Sequence, residues 1–357
     1  MDIDIVVLWV DGSDPEWLAE KAKYLPPAER DSNSPNRYRD WGLLPYWFRS
    51  IEKFAPWART IHFVTWGHVP EFLNLDAPKL HVVRHEEFIP AEYLPTFSSH
   101  AIEMNLHRIP GLAEHFVYFN DDMFLLRPME AADFFRDGLP CTYGGEVPWV
   151  FNGRLGVWEH AAANNMGVIN AHFPKRKFSY INRKKYINRR YRWKDNVRTW
   201  VLHRLFPDFF TGFKNLHAPA PYLKKTFETV WLAEGKLLDS TCRDRFRTSA
   251  NVNQWLCLWW QVACGDFSPY VVDNLVQCAD RENLDALCDA IEAQSHAMVC
   301  INDPDWEVPV EAISYWLRSS FRSILPDRCV YEKDGYEDEL GEAPAPDPAD
   351  DRFPLGD

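Results

Sequence analysis

Within the stretch YFNDDMFLLRP, residues 118–128, the polar side chains Asn120, Asp121 and Asp122 stand between two apolar runs. Adjacent carboxylates beside buried strands are costly unless a cation or hydrogen bonds compensate them. At a strand end such a pair can hold Mg²⁺ or Mn²⁺, because hard divalent ions take oxygen ligands and leave positions for water and substrate phosphate. Asp also fills turns and caps helices, so the dipeptide alone decides nothing. A second polar knot, CINDPD at 300–305, offers Asp303 and Asp305 as ligands, with a plain turn before Pro304 as the alternative. His217, in NLHAPAPYLKK, has the prolines of a rigid non-helical loop after it; it is a candidate base near neutral pH, or a structural or solvated side chain. Arg245 and Arg247 alternate around Phe246, so an extended segment would carry both guanidinium forks on one face, suited to phosphate oxygens or simply to solvent. Asp4, between Ile3 and Ile5, is unexpected in an apolar run, and an edge position at a strand start would accommodate it.

The segments around these residues set where they can stand. IDIVVLWVDG, 3–12, reads as a buried strand running into an Asp-Gly turn. In DWGLLPYWFRSIEKFAPWA the apolar positions Leu44, Trp47, Phe48, Ile51 and Phe54 follow helical spacing, and TIHFVTWG supplies a second strand. KLHVVRH, SSHAIEMNLHRIPG and HFVYFNDD repeat the pattern of strand, helix and strand, with Ser98 or Ser99 as N-cap and Gly111 near the helix end. Strands alternating with helices predict a parallel α/β sheet, whose ligands collect beyond the carboxyl ends of the strands. That rule singles out residues 11–14, 65–68, 85–87 and 120–122. Farther on, VNQWLCLWWQVACGDF and AISYWLRSSFRSIL read as helices, and the Asp, Glu and Pro of 333–357 as a disordered acidic tail.

With 46% hydrophobic residues the 357-residue chain can bury a large core, and its 16 Trp suggest stacking surfaces as well. A formal net charge of −13 argues against nucleic acid as the main partner. Residues 174–198 break the acidic trend with eleven Lys or Arg against one Asp, interleaved with aromatics. They read as a solvated surface, a patch for anionic lipid headgroups, or a track for an anionic polymer. The eight cysteines are scattered without metal spacing and are expected as buried free thiols. No signal-like n-region and no run of about 20 apolar residues is found, which predicts a cytoplasmic protein, alone or held at the inner face of the cell membrane.

Four blocks cover most of residues 3–305: IDIVVLWVDGSD, the long run from RYRDWGLLPYWF to HFVYFNDDMFL, the pair LHAPAPYLKKTF and RFRTSANVNQWLCLWW, and CINDPD. In this order they resemble the conserved regions of the Stealth family of sugar-1-phosphate transferases, which includes bacterial capsular polysaccharide phosphotransferases and the animal enzyme that puts N-acetylglucosamine-1-phosphate on lysosomal glycoproteins. Departures are Leu8 in place of Thr, Asp40-Trp41 in place of an Asp-Asn-like pair, and Asn251 where an acidic residue is common; they bear on donor placement rather than on reaction class. The resemblance implies an α/β fold of the nucleotide-sugar-transferase type, a mostly parallel GT-A-like sheet flanked by helices with helical additions. It also implies one catalytic domain over 1–332: a nucleotide-sugar half (3–150), a basic aromatic insertion (151–215) and a helical catalytic half (216–332), before the tail.

The implied reaction moves a sugar-1-phosphate from a UDP-sugar such as UDP-N-acetylglucosamine to a hydroxyl of an acceptor glycan, and UMP leaves. Carried over by position, the family's functional residues are Asp4, Asp121, Asp122, His217, Arg247 and Asp303. On this reading Asp122 with Asp121 or Asp303 binds Mg²⁺ or Mn²⁺, Arg247 holds the phosphate and His217 takes the acceptor proton. Asp4 and the turn of Trp9, Asp11 and Gly12 shape the nucleotide pocket, with Arg49 nearby. Two rivals stay open: a metal-dependent glycosyltransferase that releases UDP, and a non-catalytic protein that binds anionic glycan or a membrane surface through 174–198.

Overall fold

The computed structural model describes residues 1–25, 38–151, 153, 155–214, 216–304 and 306–343. Its strands are β1 (Ile3–Leu8), β2 (Ile61–Thr65), β3 (Leu80–Arg84), β4 (His115–Asn120), β5 (Met123–Leu125), β6 (Phe135–Arg136), β7 (Leu139–Thr142), β8 (Ala220–Leu223), β9 (Ser268–Pro269), β10 (Asn274–Cys278) and β11 (Met298–Asn302). The main sheet has the order β3-β2-β1-β4-β8. Its first four strands are parallel and β8 runs antiparallel to β4. A parallel sheet is covered on both faces by its crossovers, which is why the central strand β1 is nearly all Ile, Val and Leu.

Successive residues of β1 feed opposite cores. Ile5 and Val7 join Trp47, Phe48 and Phe63 on one face, where the helices Leu44–Phe54 and Val310–Ile324 pack. Val6 joins Phe116 and Tyr118 on the other, beneath the helices Lys224–Arg243 and Trp255–Cys264. The strand, helix and strand pattern of the sequence is therefore the pattern of the fold. One helix is shorter than its sequence suggests: Ser99–Met104 gives way to a 3-10 turn, Leu106–Arg108. Asn105 ends it by donating its side-chain Nδ2 to the Ala101 carbonyl at 2.8 Å, and the chain reverses at Gly111, φ +76°.

Register brings the carboxyl ends together. Leu8 lies opposite Val64 on one side and Asn120 on the other, so the segments after β1, β2 and β4 emerge side by side. Directly after β4 the chain turns and β5 pairs antiparallel with β11, Met123 facing Cys300, while β10 continues that small sheet. A third sheet, β6-β7-β9, sets β7 close to β8 of the main sheet.

The basic block forms the helices Lys175–Ile181 and Arg183–Tyr186 and the start of Trp193–Leu205. Part of its charge is internal, since Lys175 is fully buried with Nζ 2.8 Å from Glu146 Oε1. All eight cysteines are free, five of them buried. Residues 333–343 of the acidic tail are held in place, with Asp338 accepting hydrogen bonds from Tyr46 and Arg318; 344–357 lie outside the described residues. Among the described residues no helix is long and apolar enough to cross a membrane.

Candidate active site

Beyond the carboxyl ends of β1 and β4 opens a cavity of about 380 Å³, within the usual range for small-molecule sites. Trp9 enters it from the end of β1, Asp121 and Asp122 from the turn between β4 and β5, and Asp303 from the residue after β11. His217 reaches it from the loop that enters β8, and Arg247 from the segment after the helix Lys224–Arg243. The Ile301 amide donates to the Asp122 carbonyl at 2.9 Å, so pairing of β5 with β11 fixes the two acidic turns against each other.

The electrostatics are unbalanced. Asp40, Glu103, Asp121, Asp122 and Asp303 line the cavity against the guanidinium groups of Arg39 and Arg247. The Asp121 carboxylate opens into the cavity, yet its walls strip away bulk water; that desolvation, with repulsion from Asp122, pushes Asp121 up to about 8. Desolvation raises Asp122 and Asp303 to about 6, the latter against the pull of Arg39, whose Nη1 is 3.4 Å from Asp303 Oδ1. Asp122 also keeps a buried Oδ1 without a hydrogen-bond partner. Buried carboxylate oxygen without a partner, among further carboxylates that repel it, is the donor set a hard divalent cation fits.

Donor atoms of Asp122, His217 and Cys300 lie within 4.8 Å of one another. Burial holds the Cys300 thiol well above its usual pKa, so it stays protonated and donates to Asn302 Oδ1 at 3.4 Å instead of offering a thiolate. His217 is held in the left-handed region at φ +43°, with its carbonyl 3.4 Å from Asn274 Nδ2. Desolvation lowers its pKa, which leaves a neutral imidazole able to accept a proton.

Glu103 is a residue that sequence reading passed over. It is buried under Arg247, and burial pushes it up to about 7 against the counter-pull of Arg247 and of hydrogen bonds from the Gln254 amide, Ser99 and Tyr118. Arg247 Nη2 donates to Ser99 Oγ at 2.7 Å. Ser99 and Glu103, four residues apart, share one face of the helix Ser99–Met104, and together they aim Arg247 into the cavity. In a helix as polar as Ser99–Met104, that spacing alone does not single the pair out.

Other candidates stand elsewhere. Asp4 is no edge residue: β1 is the central strand, and Asp4 is fully buried at the end of β1 away from the cavity. Its carboxylate accepts from Arg59 Nε and Nη2 at 2.8 and 2.6 Å and from the Ala113 amide at 2.7 Å, and lies 3.0 Å from His62 Nε2. Against the desolvation that would raise it, these bonds pull Asp4 down to about 2. Arg49 is likewise removed from the nucleotide pocket, because both its Nε and Nη2 are paired with the buried Glu332 at 2.8 and 2.7 Å. Asp11 accepts from Ser13 beside the cavity rather than lining it. Gly12 acts through space: a Cβ there would come 2.2 Å from the Tyr38 carbonyl, so glycine lets Tyr38 close the cavity wall. Arg245 turns away from Arg247 and stacks over Tyr24, because the segment is not an extended strand. Asp305 lies outside the described residues.

Comparison with known proteins gives the same answer along nearly the whole chain. Residues 37–141 match Stealth protein conserved region 2, and residues 1–26 match Stealth protein conserved region 1. The chain is 37% identical to the capsular polysaccharide phosphotransferase WcwK of Streptococcus pneumoniae over 339 residues, 93% of this chain and 99% of that protein. It is 37% identical to the receptor polysaccharide phosphotransferase WefC of Streptococcus gordonii, covering 92% of this chain and 98% of that one. The exopolysaccharide phosphotransferase cps2G of Lactiplantibacillus plantarum is 36% identical, with coverage of 93% and 96%. Fold, site and relatives define a phosphotransferase enzyme. The chain belongs to the Stealth family.

Proposed function

We propose that this enzyme transfers a sugar-1-phosphate, N-acetylglucosamine-1-phosphate in the first instance, from its UDP-sugar to a hydroxyl of a glycan acceptor, in the synthesis of a capsular or other cell-surface polysaccharide. The observation that carries this reading is the meeting of Asp122, Arg247 and His217 at one cavity beyond the strand ends. Each supplies one thing the reaction needs, and the polysaccharide phosphotransferases it resembles over their full length support the reaction class.

His217 accepts the proton of the acceptor hydroxyl, whose oxygen forms a bond to the phosphorus that carries the sugar. The bond from that phosphorus to the bridging oxygen breaks, and the electron pair leaves with UMP. Arg247, braced by Ser99 and Glu103, holds the transferred phosphoryl oxygens as charge spreads over them. Trp9 and Tyr38 offer apolar walls for the nucleotide. Asp122, with Asp121 or Asp303, would hold a Mg²⁺ or Mn²⁺ ion, which supplies charge neutralisation for a diphosphate that this acidic cavity would otherwise repel.

The test is the nucleotide released from UDP-N-acetylglucosamine in the presence of Mg²⁺ and sugar acceptors. UMP that depends on the acceptor and disappears in Asp122→Ala is the expected result. UDP would mean attack at the anomeric carbon and a glycosyltransferase.

A further inference from the structure

His217 borders a second opening. A cleft of about 770 Å³ reaches it from the far side, walled by Trp149, Phe151 and Trp158 and flanked by Lys214 and Glu159. Its central ring is anchored. Trp149 donates Nε1 to the Phe213 carbonyl at 3.1 Å, and its ring lies 5.6 Å from that of the buried Trp259. Gly212 makes this seat, because a Cβ there would come 1.6 Å from Trp149 Cδ1. Against Trp149 stand Trp158, centroid 5.7 Å away, and Phe151 at 6.2 Å. Trp158 stays 48% exposed and Phe151 37% exposed, so a large apolar wall faces solvent beside the imidazole.

Apolar rings held open beside polar and charged groups suit a ligand with flat C–H faces and a hydroxylated rim, which describes a pyranose. The acidic, arginine-bearing cavity on the other side of His217 is polar enough for the diphosphate of a donor, and it leaves the acceptor to approach from elsewhere. We infer that the cleft of Trp149, Phe151 and Trp158 is the acceptor subsite, stacking a neutral pyranose of the glycan so that one hydroxyl meets His217. This rests on the reading of His217 as the base, but the binding it asserts can be measured without turnover.

The probes are the methyl β-glycosides of galactose, glucose and N-acetylglucosamine, offered to the full chain without donor or metal and followed by ligand-observed NMR. Saturable binding of at least one is expected, weakened about tenfold in Trp158→Ala, the loss of one stacked ring, and largely restored in Trp158→Phe. Trp158 is solvent-open, and circular dichroism checks that the variant folds. In the transfer assay the same Ala variant should raise acceptor KM about tenfold and leave donor KM within about twofold. No binding of any glycoside to the wild-type chain, or equal binding by Trp158→Ala, would overturn the subsite. Saturable Trp158-dependent binding without UMP formation would keep the subsite and sink the transfer reaction instead.

Discussion

Carboxylates stand at opposite ends of the same parallel sheet, one enclosed and two lining a cavity, and the fold treats them in opposite ways. At the amino end of β1, Asp4 is saturated by Arg59, His62 and a backbone amide, and its pKa falls to about 2. At the carboxyl end of β4, Asp121 and Asp122 are pushed up to about 8 and 6, with Asp122 Oδ1 left unpartnered. A carboxylate completed by its own chain is framework; one left incomplete at a cavity is there for a ligand. Exposure marks the same division, since Asp4 is enclosed and Asp121 opens to the cavity.

Asp122→Asn removes the charge at the cavity while keeping the side chain's shape. Activity should fall by about 10³-fold, the scale of losing a main electrostatic stabiliser, while the thermal midpoint holds or rises because repulsion is relieved. A midpoint loss without activity loss would place Asp122 in the framework. Asp4→Asn should do the reverse: with Arg59 open to water, losing the charged hydrogen bonds to Arg59 and the Ala113 amide costs about 2–3 kcal/mol in urea unfolding, and the protein that remains folded keeps its kcat.

Acid sharpens the same contrast. Because the folded pKa of Asp4 lies below its ordinary 3.8, its contribution is complete above about pH 4 and fades as pH falls through about 2. It amounts to about 2 kcal/mol, so wild-type stability should fall more steeply than that of Asp4→Asn between those pH values. Equal slopes would show that Asp4 is not the group that titrates. Glu103→Gln, which removes the Coulombic attraction beneath Arg247, should raise donor KM about tenfold, the scale of a close charge pair shielded from bulk water. Arg245→Lys, behind the wall and stacked on Tyr24, should change donor KM by less than about twofold.

Much of this was legible in the sequence for stated physical reasons. The buried runs at 3–8, 61–65 and 115–120 announce parallel strands because both their faces are covered, and the rule of carboxyl ends then points at Asn120 to Asp122. Asp303 and His217 were nameable as polar residues in otherwise apolar or rigid surroundings. Asp4 and Arg49 misled, because their partners, Arg59, His62 and Glu332, lie on other elements and long-range pairing leaves no local trace. Glu103 escaped for the converse reason: in sequence it is one carboxylate on a helix, and only the fold sets Arg247 above it.

The pairing of β5 with β11 has a consequence for the nascent chain. Asp122 is synthesised well before the strand that pins its turn and before Asp303 beyond it. Until then the acidic turn is unbraced and one face of the main sheet lacks part of its core, so the working site and that core are completed together. A chain truncated after the helix Trp255–Cys264 would lack both that part of the core and the braced site, and so should be inactive.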